Sequence, residues 1–185
     1  TAFPSRSRWP LRASRASGWR TCWTSWTTSC CYAPHAAGFY AGLEDVVLGV
    51  QNWIQRHAIT ARRMAETEQH LQFRTNLNEI ADINQRLVTE PPQTFREACQ
   101  WILWYQITAR MYNGSGSLGR LDVLLTPFYE RDTAAGILTD DEATFHIACL
   151  LLRDTAYLQV GGPDFYGKDV TNTVSYLVLE ASHWL

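Results

Sequence analysis

The stretch Ser115-Gly-Ser-Leu-Gly-Arg-Leu-Asp122 carries the most information about the fold of this chain. Its small residues predict a loop, and that loop delivers an arginine and an aspartate two positions apart, Arg120 and Asp122. The segment Pro127-Phe-Tyr-Glu-Arg-Asp132 follows and predicts a short helix through Tyr129. The composition of the chain gives no reason to expect this order of residues, so the stretch indicates a specific local structure.

Helical spacing of apolar residues dominates the chain before this loop. Apolar residues between Leu43 and Ala61 recur on one helical face, and a second helix is predicted from Thr67 to Val88. Pro91-Pro92 ends that helix, because proline disfavours helical backbone in the preceding residue. The pattern Thr94-Phe-Arg-Glu97 is a capping box and opens a helix that runs to Met111.

The chain after the loop is also predicted to be helical. A second capping box, Thr139-Asp-Asp-Glu142, opens a helix that runs to Arg153. A loop rich in glycine, proline and aspartate follows Tyr157, and a last helix is predicted from Asn172 to His183 with Asn172 as its N-cap. Strand signals are weak, so the expected fold is mostly α-helical.

Residues 1–38 differ in composition from the rest of the chain. They contain five arginines and four of the eight tryptophans, and the first carboxylate of the chain is Glu44. Because no apolar period is visible, we expect an atypical Arg/Ser/Trp-rich leader over residues 1–38, non-native or disordered, and a partial domain over residues 39–185. A transit peptide and a tract that stacks on single-stranded nucleic acid are the alternatives.

The totals are those of a soluble globular protein. A net charge of -2 and 46% hydrophobic residues give no reason to expect nucleic acid or an anionic membrane as a partner. No apolar run approaches the length of a transmembrane helix. The five cysteines are too few and too unevenly spread for a disulfide scaffold, so a cytoplasmic location is expected. The five histidines show no metal-ligand spacing, so no metal site is predicted.

Five motifs between residues 77 and 183 resemble, in order and spacing, those of the glycyl radical enzymes, the family related to pyruvate formate-lyase. The resemblance implies a partial chain, a fragment of a ten-stranded α/β barrel, and Asp122 favours the dehydratase, decarboxylase or lyase branch. The motifs are Leu77–Ile83 with Glu90–Gln100, the loop 115–122, Pro127–Asp132, Gly136–Ala143, and a final group formed by Val160-Gly-Gly162, Gly167-Lys-Asp169, Thr171-Asn172, Ser175-Tyr176 and Leu179-Glu180.

The resemblance also implies the chemistry of the parent enzyme. In this family an iron–sulfur activating enzyme that uses S-adenosylmethionine installs a backbone glycyl radical, which converts a cysteine to the thiyl that takes hydrogen from the substrate. None of the five cysteines stands in the family's Gly-Cys-(Val/Thr)-Glu-Pro context, and the radical-glycine loop is missing. The chain is therefore expected to have no catalytic residue, to bind no cofactor and to be inactive alone. Cys99 and Cys149 are expected to behave as small apolar side chains.

The resemblance places the loop 114–122 inside the barrel, where a serine binds substrate hydroxyl or carboxyl groups. Ser115 and Ser117 are the candidates, and the distance of Ser117 from the following Gly-Arg pair favours it. Neighbouring glycines let the backbone approach a ligand, and a hydroxyl both donates and accepts hydrogen bonds. A flexible turn capped by serines is the alternative.

The remaining candidates are expected to be structural or to form the pocket wall. Arg120 and Asp122 are expected to form a buried pairing that pins the loop. Tyr157 and Gln159 precede a glycine turn and either line the pocket or pack in the core or at the rim. The simplest role of Asn172 is the N-cap.

The resemblance predicts radical cleavage of a C–C, C–O or similar bond in a small organic substrate, under anaerobic conditions. The expected partners of the parent are that substrate and the activating enzyme, and the family's habit is to form homodimers. The alternative is a non-catalytic helical module that binds a partner protein and descends from this family.

Overall fold

The structure is a computed structural model that describes residues 37–112, 117–153 and 157–185. Within these ranges the chain forms six α-helices and two short β-strands, which confirms the mostly α-helical fold. In chain order they are α1 (Ala37–Thr67), α2 (Leu71–Leu87), α3 (Phe95–Tyr112), β1 (Ser117–Arg120), α4 (Leu121–Ala134), α5 (Asp140–Arg153), β2 (Tyr157–Gln159) and α6 (Thr173–Trp184).

Helices α1 and α2 form an antiparallel hairpin. Gln55 near the middle of α1 donates a hydrogen bond of 2.7 Å to Gln85 near the end of α2. The apolar seam continues onto α3, where Trp104 packs with Ile54 and Leu87. Both helices predicted here are present; α1 extends beyond both predicted ends, and α2 begins at Leu71, because the predicted start, Thr67, is the last residue of α1.

A larger core joins α3, α4, α5 and α6 with β1. Cys99 lies in this core. Burial raises the pKa of its thiol, and the electrostatic effect of Cys149 raises it further. A protonated buried thiol is a small apolar side chain, as expected for Cys99, whereas Cys149, of which the same was expected, is exposed. The completely buried hydrophobic members are Phe95, Leu121, Leu125, Ala143, Ile147, Val174 and Ala181.

Strands β1 and β2 pair in parallel, with Ser117 opposite Tyr157 and Arg120 opposite Gln159. The register shifts between Ser117 and Gly119, where Gly119 has a φ of 62°. Glycine adopts this left-handed backbone without the steric cost that other residues incur. The stretch 115–122, predicted as a loop, therefore contains strand β1 and the first two residues of α4; its strand signal is weak because β1 has only four residues and is bulged.

Both predicted capping boxes are present. The amide of Thr94 donates to Glu97 at 3.2 Å and the amide of Glu97 donates to the Thr94 hydroxyl at 3.3 Å. Thr139 and Glu142 make the same reciprocal pair at the start of α5. Reciprocal side-chain bonds satisfy amides that the first helical turn leaves without backbone partners.

The predicted leader lies outside the described residues except for its last two positions, which belong to α1. The predicted boundary at residue 38 therefore falls within the first turn of that helix. None of the helices in the described ranges is both long enough and apolar enough to cross a membrane.

Candidate functional site

The carboxylate of Asp122 is the centre of the candidate site. It is fully buried in the first turn of α4 and accepts hydrogen bonds from the amide of Gly161 at 2.6 Å, the hydroxyl of Ser175 at 2.6 Å and the amide of Val123 at 2.8 Å. Burial by itself raises the pKa of Asp122. The hydrogen bonds from Ser175, Gly161 and Val123 and the positive charge of Arg120 outweigh burial, so the pKa lies below its ordinary value.

Arg120 binds the same turn through its carbonyl groups. Its guanidinium donates to the carbonyl oxygens of Gly161 at 2.9 Å, Gly162 at 3.3 Å and Pro163 at 3.3 Å. Arg120 thus binds the carbonyl groups of the turn, and Asp122 binds its Gly161 amide. In place of the direct pairing expected between them, the two side chains bind the same turn, and Arg120 acts on Asp122 through its charge.

Gly161 is fitted closely to this position. Its φ is 62°, and a Cβ added to it would lie 2.6 Å from the Thr171 hydroxyl oxygen. A contact that short requires the neighbouring atoms to move, and the positive φ strains any other residue. Glycine is therefore required for both conformational and steric reasons.

Asn172 caps α6, as predicted. Its side chain accepts a hydrogen bond from the amide of Ser175 at 3.1 Å, and its own amide donates to the Ser175 hydroxyl at 3.1 Å. That hydroxyl then donates to Asp122, so one serine connects the start of α6 to the start of α4.

Ser117, the favoured substrate-binding candidate, lies at the first position of β1 and is exposed. Its hydroxyl donates to the carbonyl of Tyr157 at 3.1 Å and accepts from the amide of Gly119 at 3.2 Å. The hydroxyl therefore takes part in joining the two strands. The second candidate, Ser115, lies outside the described residues.

Tyr157 and Gln159 project from one face of β2, while Leu158 between them packs against the larger core. The Tyr157 side chain is 79% exposed and Gln159 is also exposed, so neither is packed in the described core. Together with Ser117 they form what we call the open face of the sheet.

The link between Ser175 and Asp122 was missed from the sequence because the two residues lie 53 positions apart. A serine three residues after an asparagine indicates a capping box, but nothing in that local pattern names a distant carboxylate. In the part of the chain that the structure describes, no group of three or more His, Cys, Asp or Glu side chains is arranged to hold a metal ion.

Parallel strands joined through intervening helices are characteristic of α/β proteins. Within that class, the chain belongs to the pyruvate formate lyase-like family, whose model matches residues 26–185. The match covers the motifs described above and begins before the predicted boundary at residue 38.

The chain is similar to several characterised members of the family. It is 28% identical to isethionate sulfite-lyase of Desulfovibrio desulfuricans over 70% of this chain and 18% of that protein. It is 31% identical to trans-4-hydroxy-L-proline dehydratase of Clostridioides difficile over 73% of this chain and 20% of that protein. These relatives fall in the lyase and dehydratase branch that Asp122 favoured.

A solved structure shows the same local fold. The glycerol-bound form of the B12-independent glycerol dehydratase from Clostridium butyricum superposes with a TM-score of 0.68 at 29% identity, over 72% of this chain and 20% of that one. The chain therefore spans about one fifth of the length of the relatives that it matches.

Proposed function

We propose that this chain is a segment of a glycyl radical enzyme that cleaves a C–C, C–O or similar bond in a small organic substrate. The observation that carries the proposal is the Asp122 network, which fastens the glycine turn to the end of β1 within a chain of this family. The segment supplies part of the pocket wall and no radical residue, so we expect it to be inactive alone. The whole enzyme would act in an anaerobic cytoplasm, with an activating enzyme and as a homodimer.

We propose Ser117 and Ser115 as substrate-binding residues. A hydroxyl has one proton to donate and two lone pairs that accept. Ser117 uses its proton on Tyr157 and one lone pair on Gly119, which leaves one lone pair free. Ser117 therefore suits a substrate group that donates a hydrogen bond, such as a hydroxyl, better than it suits a carboxylate.

Extending the reading frame at both ends tests the proposed enzyme. A downstream Gly-Cys-(Val/Thr)-Glu-Pro loop and a glycyl radical loop are expected, and a genuine stop codon directly after Leu185 would contradict the proposal. In the extended enzyme, Ser117→Ala and Ser115→Ala are expected to raise KM for a hydroxylated substrate about tenfold, the cost of one lost hydrogen bond. Ser182→Ala is the control, because that hydroxyl donates to the carbonyl of Val178 within α6.

The 185-residue chain tests the proposed inactivity. After anaerobic incubation with an activating enzyme and S-adenosylmethionine, electron paramagnetic resonance is expected to show no glycyl signal. A glycyl doublet from this chain would overturn the proposal.

A non-catalytic module that binds a partner protein is the second candidate. It is favoured by apolar side chains that are more than half exposed on the helices, among them Phe145, Tyr176 and Leu179. The remaining part of a glycyl radical enzyme would cover such side chains equally well. The extended reading frame separates the two, because a module needs no radical loop.

A further inference from the structure

We infer that Asp122 is a positioning residue, which fixes the glycine turn against the end of β1 and so sets the geometry of the open face that carries Ser117. This inference deepens the proposed function: the open face matters for substrate only if the proposed function is correct. The positioning itself depends only on contacts within the described residues.

The first argument is that Asp122 joins parts of the chain that are far apart in sequence. Its donors come from its own helix, from Gly161 and from Ser175, which lie 39 and 53 positions further along. The carboxylate is fully buried, so water does not compete for these bonds. Separating Asp122 from its donors would leave buried polar groups without hydrogen bonds, which costs free energy. The three parts of the chain are therefore held together.

The second argument is that two side chains bind Gly161, one at its amide and one at its carbonyl. Asp122 binds the amide of Gly161, and Arg120 binds the carbonyl of the same residue. Gly161 is thus held on both sides of its Cα, at the amide of the peptide group before it and at the carbonyl of the peptide group after it, which opposes rotation of either group. The close approach of Thr171 to Gly161 removes the space for an alternative position.

The third argument is the location of the turn. Strands β1 and β2 end at Arg120 and Gln159, which are paired, and Gly161 follows two residues later. The turn therefore begins at the carboxyl ends of both strands, and the paired residues Ser117 and Tyr157 lie at the amino ends of the same two short strands. Because Gly161 follows β2 closely, a displaced turn is expected to displace β2. The Tyr157 carbonyl of β2 accepts the hydrogen bond from the Ser117 hydroxyl, so Ser117 is expected to move as well.

The test uses the 15N-labelled 185-residue chain and the variant Asp122→Asn. The amide signal of Gly161 is expected to shift and its hydrogen exchange to accelerate about tenfold or more, because a neutral amide has one acceptor oxygen in place of the two charged oxygens that receive three donors. The signals of Ser117 and Leu158 are expected to shift as well.

Asp132→Asn is the matched control. Asp132 lies on the same helix, is 3% exposed and accepts a hydrogen bond of 2.6 Å from the amide of Phe95, far from the turn in sequence. This variant is expected to shift the signal of Phe95 and to leave those of Gly161 and Ser117 in place. Equal shifts of Gly161 and Ser117 in the two variants would assign Asp122 a general structural role and overturn the inference.

If Asp122→Asn does not fold, Ser175→Ala replaces it. This variant keeps the carboxylate and removes one of its donors, so a smaller shift of the Gly161 signal is expected. An unmoved Gly161 signal would overturn the inference. The experiment uses no substrate and no radical, so its outcome is independent of the test for enzymatic function.

Discussion

At the scale of the residue, Gly161 shows how tightly the turn is built. An alanine there must adopt a φ near 62° and also meet the hydroxyl of Thr171. Gly136 has a similar φ of 70°, but an added Cβ would meet no atom within 4 Å. The two glycines therefore separate backbone strain from steric clash.

Gly161→Ala is expected to lower the free energy of unfolding by about 2–4 kcal/mol, and Gly136→Ala by about 1–2 kcal/mol. Urea titration followed by circular dichroism measures both values. The double variant Gly161→Ala/Thr171→Ala should recover part of the loss, because it removes the clashing oxygen. Equal losses at the two glycines would contradict a steric role for Thr171.

The Asp122 carboxylate gives stability a defined pH dependence. Its pKa in the folded protein lies below the ordinary value of about 3.9, so it stabilises the fold above about pH 4. This stabilisation is lost as the pH falls through the lowered pKa, because the unfolded chain then binds the proton more readily.

Asp122→Asn is accordingly expected to cost about 1–3 kcal/mol at pH 7 and progressively less below pH 4. Urea unfolding of the wild type and the variant at pH 7, 4 and 3 measures the difference. A difference that stays constant over this range would show that the charge of Asp122 does not stabilise the fold.

At the scale of the element, the two capping boxes share one sequence pattern but differ in burial. Glu97 is 1% exposed, forms an ion pair with Arg86 and accepts a hydrogen bond from the amide of Gln93 at 2.7 Å. Glu142 caps α5 on the exposed surface. The buried box therefore also ties the end of α2 to the start of α3.

Glu97→Gln is expected to lower the free energy of unfolding by about 1–3 kcal/mol at pH 7, since it leaves the Arg86 guanidinium without its charged partner. Glu142→Gln is expected to cost less, because water screens an exposed cap. Chemical denaturation of both variants in one buffer provides the comparison. A larger loss at Glu142 would contradict the importance of burial.

The helix starts at the capping boxes could be predicted closely, but α4, expected only as a short helix through Tyr129, begins at Leu121 inside the predicted loop, and neither strand was predicted. The patterns Thr94–Glu97 and Thr139–Glu142 indicate helix starts because the capping chemistry is local. Strands β1 and β2 contain four and three residues, too few for a two-residue period to appear. Their pairing depends on residues forty positions apart, which local patterns do not report.

The site was predictable only in part, for the same reason. The sequence indicated Arg120, Asp122 and Asn172 as structural residues, and each makes buried or partly buried hydrogen bonds. It did not indicate that Arg120 and Asp122 both bind the turn at Gly161, or that Asn172 is connected to Asp122 through Ser175. Tertiary contacts between a loop and a distant helix start leave no mark in local sequence.

At the scale of the whole molecule, the described residues contain two separate apolar cores. One lies between the α1–α2 hairpin and Trp104 of α3, and the other joins the helices from α3 onward with β1. Ile54 and Ile147 are completely buried, one in each core. Helix α3 contributes to both cores, so it is the element that couples them.

Ile54→Ala and Ile147→Ala are each expected to lower the free energy of unfolding by about 2–5 kcal/mol, through lost apolar burial and a residual cavity. Hydrogen exchange is expected to accelerate mainly in α1 and α2 for the first variant, and mainly in α5 and α6 for the second. Mass spectrometry of deuterated peptides resolves the two regions. The same exchange pattern in both variants would indicate a single cooperative core.

The parallel pairing of β1 with β2 also sets the order in which the chain assembles during synthesis. The α1–α2 hairpin needs only a short connection, so it is expected to form soon after it leaves the ribosome. Strand β1 must wait until α4, α5 and β2 have emerged, because its partner residue Tyr157 follows forty positions later. During that interval its backbone edge is open to other nascent chains, so we expect misassembly to begin at β1.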